Sequence, residues 1–143
     1  MDSAAVLLSG GLDSSVLAHW VARQLDGAPL VAVSFDYGQR HARELDCARV
    51  QARLAGAAEH LVLDLHFLQP LLRGGSALIQ GGDPVPDLAG LDAASLDQPP
   101  TYVPNRNMML LSIAAACAEA RGIRDVFYGA QAQDEYGYWD CTQ

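Results

Sequence analysis

The strongest constraint on the fold of this 143-residue sequence is a turn near its start that joins a strand pattern to a helix pattern. Residues 4–8 are all apolar, which is typical of the buried central strand of a parallel sheet. From Ser14 onward, apolar residues recur at helical spacing along one face. Between the two segments the sequence reads Ser9-Gly10-Gly11-Leu12-Asp13-Ser14. The sequence therefore predicts a strand, a glycine-rich turn and a helix in direct succession.

The remaining sequence repeats this alternation of strand and helix patterns. Strands are predicted at 30–35, 60–65 and 126–128, and helices at 14–25, 41–55 and 105–121. The helix at 105–121 is apolar on nearly all sides, so we expect it to be buried. Gly56 and Gly122 stand where glycine commonly ends a helix. The alternation predicts an α/β fold, a three-layer sandwich around a doubly wound parallel sheet, in a single domain of residues 1–143.

Residues 66–100 differ in composition from the rest of the chain. They contain five of the seven prolines and five of the thirteen glycines, and Arg73 is their only basic residue. A long segment of this kind in a compact domain is usually either functional or disordered, and composition does not decide between the two. We expect a flexible loop that closes as a lid over a bound ligand.

The charge balance narrows the range of ligands. The net charge is −8, and all nine basic residues are arginine. The absence of lysine excludes a lysine-dependent phosphate loop and Schiff-base chemistry, and the acidic balance argues against a nucleic-acid surface. No apolar run is long enough to span a membrane, and the N-terminus lacks the features of a signal peptide. We therefore expect a small-molecule ligand and a cytoplasmic protein.

The three cysteines, Cys47, Cys117 and Cys141, stand far apart in the sequence. Their spacing predicts neither a disulfide framework nor a zinc site, so no metal site is expected from them. Each is interpreted as a small buried side chain or a surface thiol in a reducing compartment.

The turn after the first strand has the chemistry of a phosphate site. Gly10 and Gly11 allow backbone conformations closed to other residues and bring amide N–H groups close to an anion. The helix that begins near Asp13 directs unpaired N–H groups and the positive end of its dipole at the same point. Hydroxyl donors are added by Ser9, Ser14 and Ser15. The simpler alternative is an ordinary turn in which Asp13 or Ser14 caps the helix.

The turn resembles the PP-loop of the N-type ATP pyrophosphatases, whose Ser-Gly-Gly-x-Asp-Ser pattern is matched at residues 9–14. The resemblance implies an adenine nucleotide alpha hydrolase-like fold that grips the pyrophosphate of ATP while a substrate oxygen attacks the α-phosphate. It implies adenylation rather than hydrolysis of the γ-phosphate, with Asp13 helping to hold Mg²⁺. The residues expected to bind ATP are Leu8, Ser9, Gly10, Gly11, Leu12, Asp13, Ser14 and Ser15, with Phe35, Tyr37, Gln39, Arg40 and Gly129 from later strand ends.

Three further clusters follow strand ends or open a helix. They are Phe-Asp-Tyr-Gly-Gln-Arg-His at 35–41, Tyr-Val-Pro-Asn-Arg-Asn at 102–107, and a polar, aromatic stretch at 129–141. The carboxyl ends of parallel strands meet at one edge of a sheet, so we expect the clusters to lie together. In order and residues they resemble the 7-cyano-7-deazaguanine synthase family of queuosine biosynthesis over nearly the whole chain.

By this resemblance, the reaction converts 7-carboxy-7-deazaguanine, ammonia and ATP into 7-cyano-7-deazaguanine. A carboxylate is a poor electrophile, and adenylation supplies AMP as a leaving group. Ammonia then gives an amide, and a second activation with loss of water gives the nitrile, so the implied activity is that of a carbon–nitrogen ligase. The candidate catalytic residues are Asp13, Arg106 and His41, and the candidate substrate-binding residues are Asn105, Arg106, Asn107, Asp134, Tyr138 and Asp140.

At the start of the predicted apolar helix, the arginine and the two asparagines beside it could have structural roles instead of ligand-binding ones. Arg106 would contact a phosphate or carboxylate in a bidentate manner, or would pair with Asp36 or Asp134. Asn105 and Asn107 would position a ligand, cap the helix, or do both.

The aromatic and histidine candidates also have alternatives. His41 would move a proton to or from ammonia, or would be a capping or surface group. Tyr138 and Trp139 would stack on a deazapurine or close the sheet edge.

The sequence departs from the family pattern near its end. The family typically reads Ser-Gly-Tyr-Pro-Asp-Cys-Arg where residues 136–142 read Tyr-Gly-Tyr-Trp-Asp-Cys-Thr. This difference leaves the expected ATP site intact and bears on the identity of the acceptor substrate. Members continue into a region with four zinc-binding cysteines that this sequence lacks, so no zinc is expected in this chain. The alternatives are a diverged or truncated relative that adenylates another acceptor, or one that only binds nucleotide. The acidic balance disfavours tRNA thiolation, and an open sheet edge makes a homodimer plausible.

Overall fold

The computed structural model describes residues 1–37, 42–68 and 105–130, in which strands and helices alternate. In chain order the elements are β1 (Ala4–Leu7), α1 (Leu12–Leu25), β2 (Leu30–Asp36), α2 (Ala42–Leu54), β3 (Glu59–Asp64), a 3-10 turn (His66–Leu68), α3 (Arg106–Glu119) and β4 (Asp125–Phe127). All predicted strands and helices are present, and their bounds differ from the predicted ones by one or two residues. None of the helices in these ranges is long and apolar enough to cross a membrane.

The four strands form a parallel sheet in the order β3-β2-β1-β4. Ala4 of β1 is paired with Leu30 of β2 on one side and with Asp125 of β4 on the other. The chain thus moves outward from β1 through β2 to β3, and β4 then adds to the opposite side of β1. The boundary between β1 and β4 is the switch point at which open α/β sheets bind their ligands. The prediction of a doubly wound parallel sheet is confirmed.

Alternate residues of the central strands pack on opposite faces of the sheet. On one face, buried side chains of β1 and β2 join those of α1 and α2: Ala4, Val6, Leu8, Ala18, Val21, Leu25, Leu30, Ala32, Ala48 and Ala52. On the other face, they join side chains from the 3-10 turn and α3: Ala5, Leu7, Val31, Val33, Phe35, Leu65, Leu68, Ala114, Ala118 and Ile123. Because β1 contributes to both clusters, its end is held rigidly in the middle of three layers.

Glycine ends α2 and α3 as predicted. Gly56 and Gly122 both have a positive φ, of 71° and 69°. In each case the glycine N–H donates to the helix carbonyl three residues earlier, and the next N–H donates to the carbonyl five residues earlier. This pattern pairs the last helix carbonyls and turns the chain toward the next strand.

The burial of α3 differs from the prediction. Ala114 and Ala118 are buried against the sheet, whereas Met108 is 48% exposed and Ser112 is also exposed. An apolar composition allows burial on every side, but burial also requires neighbouring elements on every side. In the described structure α3 packs on the sheet through one face.

Arg121 joins the end of α3 to the start of β3. Its Nε and Nη2 atoms donate to the two carboxylate oxygens of Glu59 at 2.8 Å each, and Nη1 donates to the carbonyl of Cys117 at 3.1 Å. The hydrogen bond from Arg121 lowers the pKa of the Glu59 carboxyl. This contact lies at the end of the sheet opposite the strand C-termini, so it orients α3 without taking part in the site.

The predicted lid begins as an ordered turn. His66–Leu68 form the 3-10 turn, and Leu68 packs in the same cluster as Ala114 and Ala118. The remainder of the predicted lid, residues 69–100, lies outside the described residues.

Candidate functional site

A cleft of about 300 Å³ opens at the carboxyl end of the sheet, beside the switch point between β1 and β4. Its walls come from the ends of β1, β2 and β4 and from the first turns of the three helices. The lining residues are Leu7, Leu8, Ser9, Ser14, Val33, Phe35, Tyr37, Glu44, Arg106, Asn107, Leu110, Tyr128 and Gly129. The structure therefore brings together the turn after β1, the end of β2, the start of α3 and the residue after β4, as the sequence predicts.

The turn after β1 presents backbone donors without acceptors. Among the described residues, the N–H groups of Gly10, Leu12, Asp13 and Ser14 donate to no protein acceptor. The first intrahelical bond of α1 runs from the Ser15 N–H to the Gly11 carbonyl at 3.1 Å. Unpaired amides at a helix N-terminus, together with the positive end of the helix dipole, form an anion site.

The two glycines of the turn have different roles. Gly10 has a φ of +90°, and a Cβ at this position would lie 2.0 Å from the carbonyl oxygen of Glu44 in α2. Gly10 is therefore required both by its left-handed backbone and by the close approach of α2. Gly11 has an ordinary extended conformation, with φ −71° and ψ 168°, and a Cβ there would meet only the Ser9 hydroxyl at 3.4 Å. The expectation of a restricted conformation is confirmed for Gly10 and is wrong for Gly11, because Gly11 is the N-cap residue.

The serines hold the shape of the turn. The hydroxyls of Ser9 and Ser14 lie 3.0 Å apart, and the Ser9 N–H donates to the Ser14 hydroxyl at 3.2 Å. The Ser15 hydroxyl donates to the Gly11 carbonyl at 2.7 Å. Ser9 and Ser14 line the cleft, whereas Ser15 and the exposed Leu12 line a shallow depression beside α1. Of the predicted hydroxyl donors, Ser9 and Ser14 therefore face the site.

Asp13 lies exposed in the first turn of α1. The alternative in which Asp13 or Ser14 caps the helix is wrong, because the N-cap is Gly11 and no side chain makes a capping bond. In the described ranges, no three His, Cys, Asp or Glu side chains are grouped so that they would hold a metal ion. A single carboxylate nevertheless suits Mg²⁺ in a nucleotide site, where phosphate oxygens and water supply the other ligands. Asp13 fits that role.

The ends of β2 and β4 supply apolar walls. Phe35 is buried at the end of β2, and Tyr37 follows it into the cleft. At Gly129, a Cβ would lie 3.7–3.8 Å from atoms of Leu17, Asp13 and Ser14, so the chain after β4 runs close to the first turn of α1. An apolar cleft with a few polar groups is the usual form of a small-molecule site.

Arg106 brings a cation to the cleft at the start of α3. Among the described residues, its hydrogen bond is to the Asn107 side-chain oxygen at 3.4 Å, and the alternative pairing with Asp36 does not occur. The other alternative partner, Asp134, lies outside the described residues. Asn105 is the N-cap of α3 but has a left-handed φ of 52° and makes no side-chain capping bond. The capping alternative is therefore wrong for the Asn105 side chain. The Arg106 guanidinium lines the cleft and pairs with none of the described carboxylates, so it suits an anionic ligand.

A histidine links two carboxylates near the ends of β2 and β3. His66 Nδ1 lies 2.6 Å from Asp64, whose carboxylate also accepts the His66 N–H at 2.9 Å, and His66 Nε2 lies 3.6 Å from Asp36. The hydrogen bond with Asp64 raises the pKa of His66, and the backbone and side-chain bonds from His66 lower the pKa of Asp64. These contacts fix the 3-10 turn beside the end of β2.

Six predicted site residues lie outside the described residues: Gln39, Arg40, His41, Asp134, Tyr138 and Asp140. Their roles stay predictions. The 38–41 and 131–143 segments that contain them directly follow Tyr37 and Ala130, which are described.

Two polar residues of the cleft, Glu44 and Tyr128, had no role assigned from the sequence. Glu44 lines the cleft from the first turn of α2, and its carbonyl is the atom that Gly10 approaches. The sequence feature that could have identified Glu44 is its position about one helical turn after His41, in the cluster that follows β2. Tyr128 lines the cleft directly after β4, and its position at a strand end was the available signal.

A comparison with known families matches residues 3–143 to the model described as queuosine biosynthesis protein QueC. The chain belongs to the QueC family. The resemblance inferred from the motifs is confirmed by this match and by curated relatives that are more than 40% identical.

The relatives of this QueC-family chain include three 7-cyano-7-deazaguanine synthases. The Rhodopirellula baltica protein is 48% identical over 138 residues, which cover 96% of this chain and 53% of the relative. The Nostoc sp. protein is 44% identical, with 96% and 58% covered, and the Clostridium kluyveri protein is 43% identical, with 99% and 59% covered. The chain thus spans a little over half the length of these relatives.

Solved structures show the same fold at low identity. The NH3-dependent NAD synthetase from Campylobacter jejuni, in complex with the nitrate ion, aligns with a TM-score of 0.60 and 15% identity, covering 97% of this chain and 53% of that one. The U34-tRNA thiolase NcsA from Methanococcus maripaludis, with its [4Fe-4S] cluster, aligns with a TM-score of 0.56 and 17% identity, covering 92% and 39%. The QueC-family chain therefore shares its α/β fold with these two proteins.

Proposed function

We propose that this chain is an ATP-dependent ligase that adenylates 7-carboxy-7-deazaguanine and converts it with ammonia to 7-cyano-7-deazaguanine. The observation that carries the proposal is the turn after β1, whose four unpaired amides adjoin a cleft that also contains Arg106. Membership in the QueC family supports this choice of acceptor, because the curated relatives are named for the nitrile product. ATP and ammonia are substrates of the proposed reaction, and Mg²⁺ is its metal ion.

The turn would hold the pyrophosphate end of ATP. The N–H groups of Gly10, Leu12, Asp13 and Ser14 would donate to phosphate oxygens, and the Ser9 and Ser14 hydroxyls would rotate to do the same. Because the amides are already oriented by the turn, little reorganisation is needed when charge develops on the leaving pyrophosphate. Bound Mg²⁺ would offset part of that charge, and Asp13 would help to hold it.

Arg106 would hold the reacting groups on the other side of the cleft. Its guanidinium has two parallel N–H donors, which match either a carboxylate or a phosphate, and Asn107 beside it supplies an amide. The apolar walls formed by Phe35, Leu110 and Tyr128 would exclude water, which otherwise competes with ammonia for an activated acid. Together these contacts would orient the substrate oxygen toward the α-phosphate.

The decisive experiment incubates the protein with ATP, Mg²⁺, ammonium and 7-carboxy-7-deazaguanine and follows AMP and nitrile by mass spectrometry. We expect AMP and nitrile to form together, with about two AMP per nitrile, because both the acid and the amide are activated. AMP that appears only with a different acceptor would support the diverged-relative alternative. ATP binding without AMP would support a nucleotide-binding role for this chain, which spans a little over half of its relatives.

Replacing Asp13 with asparagine is expected to slow ATP–pyrophosphate exchange by about 10- to 100-fold, the range found when groups that support a metal ion are removed. Asparagine keeps the size and the backbone amide of Asp13 but removes the charge that attracts Mg²⁺. The loss should be partly recovered at higher Mg²⁺ concentration. The measurement is exchange of labelled pyrophosphate into ATP over a range of Mg²⁺.

The matched control for this prediction is Asp125→Asn. Asp125 is also exposed, but it starts β4 at the end of the sheet opposite the cleft. Its replacement should leave exchange unchanged. Equal exchange in the Asp13→Asn variant and the unmodified chain would remove Asp13 from the metal site.

A further inference from the structure

Ser34 is the one polar side chain buried in the core of the described ranges, with 1% of its surface exposed. It lies in β2, on the sheet face that α1 and α2 cover. A buried hydroxyl is costly unless it is hydrogen-bonded, so its partners indicate why it is there.

The Ser34 hydroxyl bonds to the backbone at the end of β1. It donates to the carbonyl of Leu8, the last residue before the phosphate-binding turn. The N–H of Ser9, which belongs to the same peptide unit as the Leu8 carbonyl, donates to the Ser14 hydroxyl at 3.2 Å. The peptide unit between Leu8 and Ser9 is therefore fixed at both ends, by a core side chain on one side and by a turn side chain on the other.

His60 orients the Ser34 hydroxyl. A hydroxyl has one hydrogen, and because that hydrogen is directed at the Leu8 carbonyl, Ser34 must accept the bond from His60 Nε2 at 2.8 Å. Burial, with a smaller contribution from the charge of Arg49, lowers the pKa of His60 and so favours the neutral ring. For the neutral ring to donate to Ser34, its proton must be on Nε2. The chain of donors runs from β3 through β2 to the end of β1.

We infer that Ser34, oriented by His60, is a positioning residue for the phosphate-binding turn. The Leu8–Ser9 peptide sets the direction in which the chain leaves the sheet. That direction in turn determines where the N–H groups of Gly10 and Leu12 point. Neither Ser34 nor His60 lines the cleft, so the pair acts through the backbone and not by contact with a ligand. The inference rests on the proposed binding of ATP by this turn.

Replacing Ser34 with alanine tests the inference through a comparison of two nucleotides. AMP lacks the pyrophosphate that the turn would hold, whereas ATP carries it. We expect the Kd of ATP to rise about tenfold relative to the Kd of AMP, equivalent to about 1.4 kcal/mol, because the amides lose their fixed orientation. Both constants are measured by isothermal titration calorimetry on the chain as it is, so no turnover is required.

Matched variants separate positioning from stability. Ser112→Ala removes another hydroxyl that donates to a backbone carbonyl, that of Met108 at 2.8 Å, but on the exposed side of α3, and it should leave both constants unchanged. His60→Leu removes the donor to Ser34 and should raise the ATP constant several-fold, whereas His60→Gln keeps a donor and should restore it. If Ser34→Ala fails to fold, the two His60 variants carry the test, because His60 is only partly buried.

The outcomes distinguish this inference from the proposed function. If the unmodified chain binds no ATP, both are overturned. If it binds ATP but Ser34→Ala changes neither constant, or weakens ATP and AMP equally, the positioning role is overturned and the proposed function stands.

Discussion

Gly10→Ala is expected to destabilise the fold by about 2–5 kcal/mol and to abolish ATP binding. The left-handed backbone at φ +90° would cost an alanine about 1–2 kcal/mol. The new Cβ would also lie 2.0 Å from the Glu44 carbonyl oxygen and 2.8 Å from the Ala48 nitrogen, and overpacking of this kind costs about 1–3 kcal/mol. These neighbours are backbone atoms of α2, so the clash is relieved only when the turn moves away from the helix. A displaced turn no longer presents its amides to the cleft.

Two other glycines separate the causes of this effect. Gly27 has nearly the same φ, +91°, but nothing lies within 4 Å of a Cβ there, so Gly27→Ala should cost about 1–2 kcal/mol and leave ATP binding intact. Gly11→Ala has neither strain nor a close backbone neighbour and should change stability by less than about 1 kcal/mol. Urea denaturation and calorimetry of the three variants measure both quantities. Equal destabilisation by Gly10→Ala and Gly27→Ala would show that contact with α2 is unimportant.

The order of strands and helices was predictable because each element carries its own local signal. A wholly apolar run such as residues 4–8 is typical of a strand covered on both faces, and β1 is buried in this way. Gly56 and Gly122 end helices because of a backbone conformation that glycine adopts most easily. The position of the site followed from topology, since the carboxyl ends of parallel strands must share one edge.

The contacts between distant segments were not predictable from local signals. In the sequence, Gly10 and Gly11 look equivalent, and only the packing of α2 makes Gly10 irreplaceable. Ser34 reads as one polar residue in an apolar strand, and its bond to Leu8 depends on strand register. The exposed side of α3 likewise depends on what surrounds the helix and not on its composition.

The phosphate-binding turn and Arg106 are positioned by different parts of the fold. The turn is fixed to β1, the most buried strand, and to α2 through Gly10. Arg106 belongs to α3, which covers the opposite face of the sheet and reaches the cleft only with its first turn. Hydrogen-bond donors from the helices on both faces therefore meet at the carboxyl edge of the sheet, which is the middle layer. A change at Arg106 should then affect the reaction without disturbing the turn.

Arg106→Gln is expected to lower the rate of ATP–pyrophosphate exchange by about 10²–10³-fold, the usual cost of removing one preorganised group that stabilises developing charge. Among the described residues, Arg106 hydrogen-bonds to the Asn107 side chain at 3.4 Å and pairs with no carboxylate, so its loss leaves none of the described carboxylates without a partner. The melting temperature should therefore stay nearly unchanged. Arg106→Lys keeps the charge but not the planar pair of donors, and we expect it to recover only part of the rate.

The control for Arg106 is Arg124→Gln, which removes a positive charge from an exposed residue just before β4, at the end of the sheet opposite the cleft. Because an exposed charge outside the cleft contributes little, Arg124→Gln should preserve both exchange and stability. The net charge of the chain changes equally in the two variants, so a general electrostatic effect on ATP would slow both alike. A loss confined to Arg106→Gln would place the guanidinium at the reacting phosphate or carboxylate. Equal rates in the two variants would instead make Arg106 a surface cation that happens to border the cleft.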